Sequence, residues 1–192
     1  MHALKISKDE KYTYADYLNW PDSICCEIID GKIFDMSPAP TDTHQLISWE
    51  LSRQIGNFLI NTQCQGRYAP FDVRFPEGIK DNKEIIDVVQ PDIVVICDTD
   101  KIDEQGCHGA PEFIIEILSP STSKKDRELK FKLYEKNCVK EYWMINPINK
   151  TVIINILEDN KKYRSINLKA QNQIEVGVLK SLKIDFDLIF KK

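Results

Sequence analysis

Two apolar runs and the basic segment behind them decide how this chain folds: QPDIVVI, residues 90–96, and PEFIIEILSPSTSKKDRELKFKLYEK, residues 111–136. Each run carries one acid, Asp92 in the first and Glu116 in the second. Burying a carboxylate costs several kcal/mol unless it is paired, protonated or metal-bound. An acid inside an apolar run therefore needs a reason. Side chains alternate faces along a strand. Ile114, Glu116 and Leu118 then share one face, and Phe113, Ile115 and Ile117 share the other. Asp92 follows Pro91 at the entry to its own strand. If the two strands are neighbours, both carboxylates reach one point. Two hard oxygen donors converging in a partly dry cleft suit Mg²⁺ or Mn²⁺.

The segment after Glu116 has helical spacing. Asp126, Lys130 and Tyr134 recur every four residues and form one row, with Leu129 and Leu133 beside it. Lys132 points to the other side. Lys130 is thus the lysine placed at the edge of the apolar stripe, where its ammonium can reach back over the strand ends. Ser121 to Ser123 offer hydroxyls to cap this helix.

Working outward, Val88–Cys97 reads as one central strand, apolar on both faces, as in a sheet covered on both sides. Residues 98–110 read as a surface loop, and EYWMIN (141–146) as another buried strand. CCEIIDGKIFDM (25–36) reads as a hairpin turning at Asp30-Gly31. HQLISWELSRQIGNFLI (44–60) is an amphipathic helix with Leu46, Ile47, Leu51, Ile55, Phe58 and Leu59 inward, capped by Asp42 or Thr43. Tyr68–Phe75 alternates as a strand, TVIINIL and KKYRSINL form a second hairpin, and a β-rich tail ends in FDLIF. Thr13 caps a short helix over YADYLNW. A helix between EFIIEIL and EYWMIN implies a crossover between parallel strands. The expectation is an α/β fold: one domain over residues 1–192, with a mixed central sheet flanked by helices.

Composition narrows the function classes. The chain has 192 residues, 42% hydrophobic and 29% charged, which is ordinary globular usage and long enough for one sizeable core. No apolar run approaches the roughly 18 residues of a membrane span, and MHALKISKDEKYTY lacks the apolar stretch of a signal peptide. A cytoplasmic protein with reduced thiols is expected. Cys25 and Cys97 read as small buried hydrophobes. The spacing of six cysteines and three histidines does not suggest zinc. A net charge of −4 argues against a surface given over wholly to nucleic acid. A local basic face remains, carried by Lys124, Lys125 and Arg127 beside the proposed cleft.

These residues carry a resemblance. QPDIVVI, PEFIIEILSPST, EIIDGKIFDMSPAP with His44 just after it, and DRELKFKLYEKNCVKEYWMINP are similar to the Uma family of endonucleases within the PD-(D/E)XK, restriction-endonuclease-like superfamily. The resemblance covers roughly residues 10–190. It implies a restriction-endonuclease-like core and metal-dependent cleavage of nucleic acid, with DNA the expected substrate. It assigns catalysis to Asp92, Glu116, Lys130 and Glu27, and Mg²⁺ or Mn²⁺ to Asp92, Glu116 and the carbonyl of Ile117. His44, Tyr134 and Asp126 would line the cleft. The superfamily lysine falls two residues after the second acid, where this chain has Leu118. In the Uma family that lysine has moved to the following helix, matching Lys130. A homodimer fits such chemistry, since cutting both strands commonly uses two sites. The alternative is a nuclease-fold module, weakly active or inactive, that binds nucleic acid or regulates.

Overall fold

The computed structural model describes residues 10–21, 24–36, 39–76, 78, 81–120 and 125–190. Ser121 to Ser123, expected as helix caps, and Lys124 lie outside the described residues. So does most of the N-terminal segment.

Helix α1 (Tyr14–Tyr17) is capped by Thr13, whose hydroxyl accepts from the Asp16 N–H while the Asp16 side chain accepts from the Thr13 N–H. Strands β1 (Cys26–Ile29) and β2 (Lys32–Asp35) form the expected hairpin. Its turn needs left-handed backbone at Asp30 and Gly31, with φ of 51° and 73°, which is why Asp-Gly works there. Helix α2 (Asp42–Leu59) follows, capped by Thr41 rather than by Asp42 or Thr43.

Strands β3 (Gln65–Tyr68), β4 (Val73–Arg74), β5 (Val88–Val89), β6 (Ile93–Ile96), β7 (Ile102–Asp103), β8 (Gly106–His108) and β9 (Phe113–Ile117) come next. A π-helical turn, Asp126–Lys130, runs into α3 (Phe131–Lys136). Then follow β10 (Glu141–Asn146), β11 (Thr151–Leu157), β12 (Tyr163–Lys169), β13 (Gln173–Glu175), β14 (Lys183–Asp185) and α4 (Phe186–Ile189).

The strands build two six-stranded sheets, ordered β2-β1-β5-β4-β8-β7 and β12-β11-β10-β9-β6-β3. The second sheet is mixed. β9 and β10 are parallel across the α3 crossover, and the other pairs are antiparallel. One of its faces is covered by α2, through Ile47, Leu51, Ile55 and Leu59, and by the C-terminal segment. The other face carries Val94, Ile96, Ile114 and Leu118 against α3 and the first sheet. Buried on both sides, β6 is accordingly apolar throughout and β9 is apolar except for Glu116.

Six expectations need correction. Residues 68–75 are not one strand: β3 and β4 belong to different sheets, and Pro70, which lacks an N–H, lies between them. Val88–Cys97 likewise divides at Pro91 into β5 and β6, one in each sheet. Residues 98–110 hold the β7–β8 hairpin at the edge of the first sheet. There Gly106 has φ +123°, and an added Cβ would lie 2.2 Å from the Asp72 carbonyl oxygen, so no side chain fits. The thiols are not all reduced: Cys64 and Cys97 form a disulfide. The β3–β6 register, Gln65 opposite Ile96, continues one step and sets these cysteines face to face. Cys25 is exposed rather than buried. On α2, Leu46 faces outward, 60% exposed. Among the described residues, no helix is long and apolar enough to cross a membrane.

Candidate active site

Glu116 lies in the middle of β9 and faces α3. The β6–β9 register pairs Ile93 with Ile115. One step further, it sets Asp92 opposite Glu116. The ladder does not simply end there. The Ile117 N–H donates to Asp92 Oδ2 at 2.6 Å, so the carboxylate replaces a strand acceptor and is held in place. His44, in the first turn of α2, has Nε2 3.3 Å from the same oxygen. Burial works against charge on His44, but the hydrogen bond and charge of Asp92, the Ile117 carbonyl and Asp126 outweigh it and raise its pKa.

Lys130 joins the acids. Its ammonium is 2.7 Å from Glu116 Oε1, 2.8 Å from Glu27 Oε1 and 3.7 Å from Asp126 Oδ1. Tyr134 donates its hydroxyl to Glu116 Oε1 at 2.8 Å. The row Asp126–Lys130–Tyr134 thus meets β9 on one side, and Lys132 is exposed on the other. A π-helical turn begins this row, a distortion often found at functional sites. The Tyr142 hydroxyl donates to the Asp126 carbonyl within it, at 3.2 Å. Leu118 is buried between the sheets. The lysine that reaches Glu116 therefore comes from the helix.

Glu27 arrives from β1 and is buried. Lys125 Nζ is 2.6 Å from its Oε2, and the Gln90 N–H donates to its Oε1 at 3.0 Å. Lys125, expected on the nucleic-acid face, is instead turned onto this carboxylate, 13% exposed. Arg127 is exposed.

The charges do not balance. Four carboxylates gather here: Glu27, Glu116 and Asp126 lie around Lys130, Asp92 lies opposite Glu116, and Lys125 and His44 stand at the margin. Burial opposes charge on Lys130, but Glu116, Glu27 and Asp126 hold its pKa well above the usual lysine range. Burial also raises Glu27, and there Lys130 and Lys125 prevail and lower it. Glu116 is pushed well above the usual range by burial and by Asp126, Asp92 and Glu27, against the pull of Lys130. The Lys130 and Glu116 shifts conflict, since the first needs a charged Glu116. The short contacts to two carboxylates keep the positive charge on Lys130. The surplus of negative charge is felt at Glu116, where, together with burial, it raises the pKa.

That surplus, and the donor set of Asp92, Glu116 and the Ile117 carbonyl, fit a hard divalent cation. Among the described residues, no three His, Cys, Asp or Glu side chains form a cage for a metal. Two carboxylates suffice for Mg²⁺, which keeps several waters.

Some residues here were not expected. The Gln90 side chain donates to Asp72 Oδ1 at 2.7 Å, and the Tyr14 hydroxyl donates to Asp72 Oδ2 at 3.0 Å, tying α1 to the residue that holds Glu27. Asp72 sits between Phe71 and Val73, the signal that singled out Glu116. The signal does not discriminate by itself. Glu141 is equally buried, yet it accepts from Trp143 Nε1 at 2.6 Å and the Val178 N–H at 2.7 Å, and it serves the core.

Three matches with known proteins bear on this site. The family model Uma2, described as "Putative restriction endonuclease", matches residues 14–187. An "uncharacterized protein" of Synechocystis sp. (strain PCC 6803) is 27% identical over 186 residues, which is 94% of this chain and 92% of that protein. A crystal structure from Anabaena variabilis, described as "a putative nuclease belonging to DUF820", superposes with a TM-score of 0.71 at 22% identity, over 93% of this chain and 97% of that one. This last likeness establishes the shared fold.

Proposed function

The chain belongs to the Uma2 family, and from that premise we propose that it is a metal-dependent endonuclease hydrolysing phosphodiester bonds in nucleic acid, with DNA as the substrate. The observation that carries this reading is the meeting of Asp92 and Glu116 on adjacent strands with Lys130, whose ammonium is 2.7 Å from Glu116. Asp92, Glu116 and the Ile117 carbonyl would hold Mg²⁺ or Mn²⁺. The ion would supply Lewis-acid polarisation of the scissile phosphate and acidify water for attack.

The protein's own part is positioning and charge. Lys130 stays an ammonium among its carboxylates, so it cannot act as a base. It orients water and offsets the negative charge that grows on the phosphate. Glu27 and Asp126 fix that ammonium, Tyr134 fixes Glu116, and His44 with the Ile117 N–H fixes Asp92.

One observation favours a second reading, a binding or regulatory module with little activity. Lysines already occupy Glu116 Oε1 and both oxygens of Glu27. Nicking of supercoiled plasmid with Mg²⁺ or Mn²⁺ separates the two. The nuclease reading expects nicking by wild type and its loss in Glu116→Gln. Equal nicking by both proteins would place the activity elsewhere, and no nicking over many substrates would favour the module.

A further inference from the structure

The chain passes between the two sheets at residues 69–72, from β3 to β4, and again at residues 90–92, from β5 to β6. The two passages run side by side. Tyr68 pairs with Ile93 at one end and Val73 with Val89 at the other. Between them the Ala69 N–H donates to the Asp92 carbonyl at 3.1 Å. A side-chain bond also joins the two passages: Gln90 Nε2 donates to Asp72 Oδ1 at 2.7 Å. Both partners are held further. Gln90 Nε2 also donates to the Tyr17 hydroxyl oxygen at 3.3 Å, and Asp72 Oδ2 accepts from the Tyr14 hydroxyl at 3.0 Å. The two tyrosines stack within α1, ring centroids 5.7 Å apart, so one helical turn holds both members of the pair.

Gln90 reaches the candidate site in two ways. Its N–H donates to Glu27 Oε1 at 3.0 Å, the oxygen that lies 2.8 Å from the Lys130 ammonium. Past Pro91, the next residue but one is Asp92. Glu27 comes from the first sheet, Glu116 comes from the second, and Asp92 stands at the entry to the second. Among the described residues no strand ladder joins the two sheets, so the crossings help to set the distance between these acids. Apolar side chains would join two crossings at a lower desolvation cost. A short amide–carboxylate bond adds a fixed direction, and a site must hold its groups to within about 0.5 Å.

We propose that Gln90, clamped by Asp72, is a positioning residue that sets the spacing between the Glu27–Lys130 pair and the Asp92–Glu116 pair. This rests on the nuclease reading and deepens it, because an ion and an ammonium serve one phosphate only at a fixed separation. Gln90 itself touches neither ion nor substrate. It acts through Glu27 on one side and Asp92 on the other.

Exchanging the two side chains tests the clamp. Gln90→Glu sets a second carboxylate against Asp72. Adding Asp72→Asn restores one amide and one carboxylate in reversed order, each still able to bond its tyrosine. Gln90→Ala removes the clamp without adding charge. Mn²⁺ affinity is measured by isothermal titration, with circular dichroism and thermal melts showing that each variant is folded. Gln90→Ala and Gln90→Glu are expected to bind Mn²⁺ roughly 10- to 100-fold more weakly than wild type, and the double exchange should recover most of the loss. Glu141→Gln is the control: it disturbs a buried carboxylate of the core, and should lower the melting temperature while leaving the affinity unchanged. Wild-type affinity in folded Gln90→Ala and Gln90→Glu overturns the proposal and leaves the nuclease reading standing. So does a folded double exchange that binds as weakly as Gln90→Glu. A wild type that binds no Mn²⁺ overturns the metal-dependent reading, and the proposal with it.

Discussion

Lys130 and Glu116 touch across the gap between a helical turn and the middle of a neighbouring strand, Nζ to Oε1 at 2.7 Å. Both side chains are almost wholly buried. A buried carboxylate stripped of its partner is far more costly than an exposed one, because no water replaces the lost contact. The local chemistry of this fold hangs on that single ammonium, which also serves Glu27 and Asp126.

Lys130→Ala should therefore destabilise the protein by about 3–5 kcal/mol, and Lys132→Ala by no more than about 0.5 kcal/mol. Urea unfolding of the two variants checks this. If nicking activity is present, Lys130→Ala should abolish it and Lys132→Ala should leave it intact. A Lys132 effect equal to that of Lys130 would contradict the helical phase described above.

Glu27 predicts a pH dependence with a definite sign. Its folded pKa is lowered: burial alone would raise it, but Lys130 and Lys125 prevail. A lowered carboxylate stabilises the fold above its unfolded value of about 4.3, and that contribution is lost as pH falls through the folded value. Thermal melts of wild type and Glu27→Gln should differ most at neutral pH and converge as the pH drops below the unfolded value. A difference that widens with acid would contradict the pairing.

The two acids and the helical lysine were legible in the sequence for physical reasons. Alternation put Glu116 on a face with Ile114 and Leu118, and four-residue spacing aligned Asp126, Lys130 and Tyr134. Both rules act over a few residues. The missed features depend on contacts distant in sequence. No short-range pattern shows that Pro70 and Pro91 divide apolar runs between two sheets, or that Lys125 turns in toward β1. Asp72 carried a local signal, an acid between apolar residues, but its partners Tyr14 and Gln90 come from elsewhere in the chain. The same distance hid the link between Cys64 and Cys97.

That link gives a count to check. Cys25, Cys26, Cys107 and Cys138 are free, so unreduced protein in denaturant should titrate four thiols, rising to six on reduction. The disulfide closes a loop of 33 residues, and its removal should cost up to about 3–4 kcal/mol. Six thiols before reduction would contradict the bridge.

The central claim is that Asp92 and Glu116 jointly hold a divalent cation. Isothermal titration of Mn²⁺ into wild type and Asp92→Ala tests it most directly. The account predicts saturable binding to wild type and its loss in Asp92→Ala, with circular dichroism showing the variant folded. Equal binding by the folded variant would contradict it.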